Sequence, residues 1–262
     1  MIGVKQNFPV MQTLFILPDS QFGEISAILE PKRRRRKVPL QVILSGIVYL
    51  LDNGCKWERL PPQYGNYKLV WYYFNKWMRF GVLEEALRLL TQKQRTAQGR
   101  SGEPSLVIVD TQSVKTTAGT GDEVGYDGGK KIKGRKRHIA VDTQGNVMAA
   151  GVTAASVHDK TGARVLAEEL ADIQTVKKVV ADGAYKGVPP FDGGGRIEWQ
   201  IVEKKATGGS FKVLPVRWVV ERTFAWLQNF RRLAKDYEKT VHMSKAMIIM
   251  SAIVITLRKL TN

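Results

Sequence analysis

The chain has 262 residues, 44% of them hydrophobic, so it can bury a substantial core and is neither a disordered tail nor a miniature scaffold. Lys and Arg number 41 against 24 Asp and Glu, and the formal charge of +17 favours nucleic acid as partner over a membrane surface or an acidic protein. The single cysteine, Cys55, excludes an internal disulfide and a multi-thiolate zinc site.

The hydropathy pattern predicts a protein without membrane spans. Only Lys5 precedes the short apolar group at residues 14–17, and no small-residue cleavage pattern follows it. The longest apolar stretch, residues 246–257, is shorter than the ~18 residues that a spanning helix needs. We therefore expect a soluble, cytoplasmic protein associated with the nucleoid.

Helical patterns punctuated by proline and glycine fill residues 1–95. Three helices are predicted there, over residues 38–51, 68–80 and 82–95. Pro39 suits the first turn of the first helix, and Gly54 suits its end. Short helices joined by tight turns indicate a small all-α, helix-turn-helix-like domain that binds DNA.

The second of these helices, over residues 68–80, is dense in aromatic side chains. We expect its large rings to lie mostly in the core: Trp71, Phe74 and Trp77. Its basic side chains are candidates for contact with DNA: Lys68, Lys76 and Arg79. The run KRRRRK at residues 32–37 fits a phosphate-binding arm and an exposed solubilising stretch equally well.

A linker over residues 96–104, TAQGRSGEP, separates this part from a region of strand patterns. Strands are predicted over residues 106–111, 137–143, 147–154, 176–181 and 198–202, and helices over residues 159–170 and 216–233. The gap between the second and third strands has the length of a hairpin turn. This order predicts an α/β domain with one mixed sheet flanked by helices, over residues 105–262.

Three carboxylates stand out in this second domain. Asp110 and Asp182 end the apolar runs LVIVD and VVAD, which are typical of buried central strands. Each could instead form a turn or a helix cap. Glu221 lies on a polar stripe of the last predicted helix, where a surface salt bridge with Arg217 is the alternative interpretation. Carboxylates at buried strand ends are costly without a cation, so the set of three predicts a metal site.

Oxygen ligands suit hard cations, and three carboxylates can hold two Mg²⁺ or Mn²⁺ ions roughly 3.5–4 Å apart for phosphoryl transfer. A glycosidase would use two carboxylates and would need neither the third nor the positive charge. With three histidines in the chain, a histidine-rich zinc site is improbable. Phosphate-loop and dinucleotide glycine motifs do not match at the required spacing.

Two further groups of side chains are predicted to hold DNA phosphates. Helix phase places Arg217, Gln228 and Arg232 within about 40° of Glu221, with Arg231 beside them. The segment KKIKGRKR leads into a predicted strand and could hold the substrate or form a solvated hairpin end. Its candidates are Lys130, Lys131, Lys133, Arg135, Lys136 and Arg137. His138 follows as a weaker candidate, since a packed strand histidine is the more common role.

At these residues the chain resembles the DDE transposases of bacterial insertion sequences, in the group named after insertion sequence five within the insertion-sequence-four superfamily. The matching segments are VDTQSVKT, GYDGGKKIKGRKRHIAVDTQGNV, VVADGAYKG and VVERTFAWLQNFRRLAKDYE. The segment GCKWERLPPQYG and the aromatic helix after it resemble the DNA-binding region of that group. The likeness covers about residues 20–260.

The resemblance implies an RNase-H-like catalytic domain with Asp110, Asp182 and Glu221 as its metal-binding triad. It implies that water cuts each end of the element and that the freed 3′ hydroxyl attacks target DNA, with a dimer acting on two ends. Arg217 and Glu221 fit the superfamily's Tyr-x₂-Arg-x₃-Glu-x₆-Lys signature, but Leu214 and Gln228 replace its Tyr and Lys. We expect Arg232 to supply the missing charge. The alternatives are a transposase-derived DNA-binding protein without catalysis and a stand-alone nuclease of the same fold.

Overall fold

The computed structural model describes residues 15–31, 35–187, 197–202 and 216–261. The helices in these ranges are α1 (Asp19–Leu29), α2 (Leu40–Asn53), α3 (Tyr67–Arg79), α4 (Val82–Ala97), α5 (Asp159–Gly162), α6 (Arg164–Ala171), α7 (Arg217–Gln228) and α8 (Val241–Thr261). The strands are β1 (Leu106–Lys115), β2 (Gly125–Asp127), β3 (Ile132–Val141), β4 (Val147–Ala154), β5 (Lys178–Asp182) and β6 (Glu198–Val202).

The described strands form one mixed sheet in the order β2-β3-β1-β5-β6, and β4 pairs with β3 beside β2. β1 runs antiparallel to β3 and parallel to β5, and β5 runs parallel to β6. The predicted mixed sheet flanked by helices is thereby confirmed. Strand β1 is central because its apolar residues Val107, Ile108 and Val109 are buried on both faces.

Two hydrophobic clusters cover the two faces of the sheet. Ile108, Ile139 and Val180 project into the larger cluster, which includes the apolar sides of α7 and α8. Val107 and Val109 project into the smaller cluster, which α6 closes. Alternation along β1 therefore assigns even-numbered residues from Ile108 onward to the α7 side. This assignment determines where each polar side chain of the strand can act.

The N-terminal helices share the larger cluster with the sheet. Leu83 and Leu90 of α4 belong to it together with Ile249 of α8, and the same cluster includes residues of α1, α2 and α3. The Arg95 guanidinium forms an ion pair with the buried Asp142 and donates to the carbonyl oxygen of Ser101 at 2.8 Å. The predicted linker is thus tied to the sheet, and one core joins the chain on either side of it.

Local signals predicted the first helices well. Pro39 precedes α2, and Gly54 ends it at φ 67°, a left-handed conformation that glycine adopts at little cost. Gly81 separates α3 from α4 at the same φ. Phe74 and Trp77 are fully buried as expected, but Trp71 is 40% exposed, so its core prediction was wrong.

The last helix, α8, is the one described helix that is long and apolar enough by composition to cross a membrane. In the folded chain 67% of its most apolar window is buried, and Ile248, Met250 and Ile253 are fully covered. A core helix of a folded domain passes the same test of composition. Burial against α4 and β4 explains its hydrophobicity here.

Three boundaries near the site differ from the sequence prediction. Strand β1 continues to Lys115, four residues past the predicted end at residue 111, so Asp110 lies within the strand and not at its end. Strand β3 begins at Ile132, five residues before the predicted start, so most of KKIKGRKR is strand and not loop. Helix α7 ends at Gln228, and a 3₁₀ turn, Arg231–Leu233, follows where a continuous helix was predicted. Helical phase therefore does not extend from Arg217 to Arg232.

Candidate active site

Parallel pairing of β1 and β5 places the two aspartates side by side. Ile108 lies opposite Val180 in the register, so Asp110 and Asp182, two residues further on each strand, project from the same face. Helix α7 packs against β1 on that face and brings Glu221 toward both. Three segments distant in sequence thus place one carboxylate each at the same end of the sheet.

Asp110 is the most buried of the three carboxylates, with its side chain 16% exposed. Burial raises the pKa of the Asp110 carboxyl, and the backbone N–H of Thr111, which donates to Oδ1 at 2.8 Å, opposes that rise. The Arg217 charge lowers the pKa further, whereas Asp182 raises it. An ionised Asp110 therefore depends on positive charge nearby.

Asp182 and Glu221 are more open to solvent. Asp182 precedes the 3₁₀ turn Gly183–Tyr185, and its Oδ1 accepts from the backbone N–H of Ala184 at 3.0 Å. Its side chain is 30% exposed, and that of Glu221 is 60% exposed. These two carboxylates therefore form the solvent-facing side of the group, where a ligand could approach.

One cation lies among all three carboxylates. Arg217 Nη2 is 3.6 Å from Asp110 Oδ2, 3.7 Å from Asp182 Oδ2 and 3.6 Å from Glu221 Oε1. The surface salt bridge expected as the alternative role of Glu221 is therefore present, but the same guanidinium also serves both aspartates. The structure brings the three predicted carboxylates together around the Arg217 guanidinium.

The donor set fits a hard divalent cation, because all three side chains offer oxygen and the partly buried Asp110 needs a compensating charge. Within the described residues, no three His, Cys, Asp or Glu side chains are close enough to hold a common metal ion. Arg217 occupies the centre of the carboxylate group. The arrangement is that of an acidic site whose charge is partly offset by Arg217.

Lys130 and Tyr185 lie next to the three carboxylates. The Lys130 ammonium lies 3.5 Å from the backbone oxygen of Thr111, next to Asp110. Tyr185 is buried, and its ring stacks on Trp199 with centroids 6.1 Å apart. Burial, with the charges of Asp110, Asp159 and Asp182, raises the pKa of Tyr185 well above its ordinary value. Sequence reasoning missed Tyr185, although it lies three residues after Asp182 in VVADGAYKG.

The structure contradicts the predicted DNA contacts of Arg135 and Arg137. Both are buried beneath the segment that follows α7. Arg135 pairs with Asp236 and donates to the carbonyl oxygen of Glu238 at 2.9 Å, and Arg137 donates to that of Leu233 at 2.7 Å. These arginines hold residues 233–239 against β3 and have no surface to offer a phosphate.

Lys136 and His138 lie on the opposite face of the sheet from Asp110, because His138 is the register partner of Thr111. The Lys136 ammonium is 2.8 Å from Asp159 Oδ1, and it donates to Val157. His138 is fully buried, and its Nε2 lies 2.9 Å from Thr153 Oγ1. The predicted DNA contacts of these two side chains were wrong, and the packed alternative for His138 is the one observed.

Arg232 does not supply the charge expected beside Glu221. Its Nε donates to Glu238 at 2.7 Å and its Nη1 to the carbonyl oxygen of Cys55 at 2.8 Å, so it is buried between the turn after α7 and the N-terminal helices. Gln228 and Arg231 are exposed. Leu214 lies outside the described residues, as do residues 32–34 of the basic run.

The remaining basic candidates lie at the surface or near it. Lys130, Lys131 and Lys133 are exposed at the start of β3. In α3, Lys68 and Arg79 are exposed, whereas Lys76 forms an ion pair with Glu30 at 2.5 Å. The basic candidates that remain exposed to a polyanion therefore lie in the β2–β3 region, on one side of α3 and at Arg231.

A basic α/β fold that gathers two strand-borne aspartates and one helix-borne glutamate around a single cation defines a class of acidic-triad proteins. Comparison of the sequence with known protein families identifies the same kind of protein. The family model described as "Transposase DDE domain" matches residues 101–257, and one described as "Putative transposase of IS4/5 family (DUF4096)" matches residues 17–87. The chain belongs to the DDE transposase family.

A curated relative supports the same assignment. The chain is 30% identical over 134 residues to a protein of Burkholderia cepacia named "Putative transposase for insertion sequence element IS402". The matched segment covers 44% of this chain and spans 59% of that relative's length. No solved structure matches the chain.

Proposed function

We propose that the protein is a DNA transposase that binds the terminal inverted repeats of an insertion sequence, cuts them and transfers their 3′-OH ends into target DNA. The observation that carries the proposal is the convergence of Asp110, Asp182 and Glu221 on one point, held there by Arg217 at 3.6–3.7 Å. The family match covers the segments that contain all three carboxylates.

An RNase-H-like assignment of the sheet is part of this proposal. It is supported by the strand order, in which β4, β3 and β1 are antiparallel neighbours and β5 and β6 continue parallel to β1. The position of the carboxylates on β1, on β5 and on a helix packed against β1 agrees with it. Sites of α/β sheets commonly lie at the carboxyl ends of strands, and Asp182 ends β5, while Asp110 lies beside it within β1.

The same proposal includes a metal site, in which Asp110, Asp182 and Glu221 would bind two Mg²⁺ or Mn²⁺ ions. Cations bound there would stabilise the attacking and leaving oxygens of an in-line displacement at phosphorus. The chain's own contribution is to bring the three carboxylates together and to keep Asp110 in a mostly buried, preorganised position. Arg217 would offset part of the charge of the triad when cations are absent.

DNA binding is proposed for two surfaces. The α3 side chains Lys68, Tyr72 and Arg79 are exposed at helical spacing, which supports a helix-turn-helix-like role in recognising the repeats. Lys130 beside Asp110 is placed to hold a phosphate of the strand being cut. Action as a homodimer is proposed from the need to join both ends of one element, and the nucleoid of the cytoplasm is proposed as its location because the substrate is DNA.

A strand-transfer assay tests this function. The protein is incubated with labelled ends of its own element, a target plasmid and Mg²⁺, alongside Asp182→Asn and the control Asp172→Asn, an exposed aspartate at the C-terminal end of α6. Joined products that disappear in Asp182→Asn alone support the transposase. Cutting without joining would instead indicate a nuclease, and binding without cutting would indicate a DNA-binding regulator.

A further inference from the structure

An open cleft of about 450 Å³ lies where β1 ends and β2 meets β3. Its charged lining residues are all lysines: Lys115, Lys131 and Lys133. Tyr126 adds a ring that is 57% exposed, and Thr116 and Thr117 add small polar side chains. Among the described residues the lining contains no carboxylate, so this lysine cleft is a concave surface of one sign of charge.

The sheet holds the lysines of the cleft in place. Tyr126 lies opposite Lys133 in the pairing of β2 with β3, and Lys115 lies opposite Gly134 in the pairing of β1 with β3. Lys131 has φ 54°, a left-handed conformation that costs a non-glycine residue about 1 kcal/mol or more. Backbone pairing therefore holds Lys115 and Lys133 in place, and Lys131 lies in the turn directly before β3.

Within the basic segment KKIKGRKR, the arginines and the lysines of the cleft differ in burial. Arg135, two residues beyond Lys133 on the same face of β3, is fully buried and bound to Asp236. It fixes the strand, while Lys131 and Lys133 remain exposed. In KKIKGRKR, Arg135 is therefore a buried residue that stabilises the fold, whereas Lys131 and Lys133 are open to solvent. The exposed charges have no such structural role.

The lysine cleft is connected to the carboxylate group. Lys115 is five residues beyond Asp110 on β1, about 17 Å along the strand at ~3.3 Å per residue, and this odd separation directs the two side chains to opposite faces of the sheet. Lys133 is the cleft lysine on the Asp110 face, because it lies an even number of residues before Ile139, the register partner of Asp110. Lys130, next to Lys131, reaches the backbone oxygen of Thr111 beside Asp110. A DNA strand has one phosphate per ~3.4 Å of helix axis, so the separation corresponds to roughly five nucleotide steps.

We propose, on the basis of the transposase function above, that the lysine cleft binds the phosphate backbone of the DNA roughly five nucleotides from the bond cut at Asp110. The ammonium groups of Lys115, Lys131 and Lys133 contact phosphates, and the Tyr126 phenol donates a neutral hydrogen bond. The cleft reads no bases. It positions DNA of any sequence relative to the carboxylates.

The test is the salt dependence of DNA binding, measured by fluorescence anisotropy in EDTA, where no cutting occurs. Wild type is compared with the double variant Lys131→Ala/Lys133→Ala, with Lys131→Arg/Lys133→Arg and with the control Lys177→Ala, an exposed lysine before β5. Each phosphate contact contributes about 0.9 to the slope of log K against log salt. The alanine pair should reduce that slope by about 1.8, equally on element-end and scrambled duplexes, and the arginine pair should retain it.

Three outcomes would overturn the proposal in distinguishable ways. If the alanine pair keeps the slope of Lys177→Ala while wild type binds DNA, the cleft is not the phosphate site and the transposase function is unaffected. A loss confined to the element-end duplex would show base reading and refute the backbone role. Absence of DNA binding by wild type would overturn the transposase function together with the cleft. Equal melting temperatures of all variants verify that each is folded.

Discussion

Replacing Arg217 by alanine removes a positive charge that Asp110, Asp182 and Glu221 share. The three distances of 3.6–3.7 Å are longer than hydrogen bonds, so the stabilisation is mainly Coulombic. The pair with Glu221, 60% exposed, contributes a few tenths of a kcal/mol, whereas the pair with the mostly buried Asp110 contributes more. We expect the free energy of unfolding of Arg217→Ala to be lower than that of wild type by about 1–3 kcal/mol. At this chain length, that corresponds to a fall in Tm of about 2–10 °C.

Added Mg²⁺ should raise the Tm of Arg217→Ala more than the Tm of wild type. In Arg217→Ala the cation replaces the missing charge directly, whereas in wild type it must displace the guanidinium, so the Mg²⁺-induced rise in Tm should be larger in the variant. Differential scanning calorimetry across a Mg²⁺ series measures both effects, with the exposed Arg164→Ala as matched control. The reasoning is refuted if Arg217→Ala melts like Arg164→Ala and gains no more from Mg²⁺ than wild type does.

Other perturbations probe the polar interior. Arg135→Met leaves Asp236 buried without its partner and should lower the free energy of unfolding in urea by about 3–5 kcal/mol; a loss below 1 kcal/mol would contradict the anchoring role. Burial lowers the pKa of His138 to about 4, so the unfolded chain binds the proton first as the pH falls from 6.5. Wild type should therefore lose up to about 3 kcal/mol relative to His138→Gln between pH 6.5 and 4, and a constant difference would argue against this. In Gly162→Ala the new Cβ would lie 2.0 Å from the His138 ring and should cost about 1–3 kcal/mol, unlike Gly128→Ala, which has open space; equal urea midpoints would disprove the clash.

The elements whose ends are set by neighbouring residues, such as a proline, a glycine or an apolar run, could be predicted from the sequence. Pro39 and Gly54 bound α2 because a proline fits a first turn and a left-handed glycine ends a helix. Asp110 and Asp182 were singled out because apolar runs of central strands end at each of them. Parallel pairing then places them together without further sequence information.

The errors arise where distant segments determine burial. Arg135 and Arg137 look like exposed charges in KKIKGRKR, and only the packing of residues 233–239 over β3 covers them. Arg232 was placed by extending the phase of α7, but the helix ends at Gln228 and the side chain turns to the carbonyl oxygen of Cys55. Periodicity within one segment cannot reveal contacts of this kind.

The central claim is that Asp110 and Asp182 hold the cations used to cut DNA. Replacing either carboxylate by cysteine exchanges a hard oxygen ligand for a soft thiolate, which Mg²⁺ binds poorly and Mn²⁺ tolerates better. The measurement is nicking of labelled element ends by Asp110→Cys and Asp182→Cys in each metal, relative to wild type in the same metal, with Asp172→Cys as control. The account predicts loss of nicking in Mg²⁺ and recovery in Mn²⁺ for the two site variants alone. Wild-type nicking by both in Mg²⁺, or no recovery in Mn²⁺ by folded protein, would contradict it.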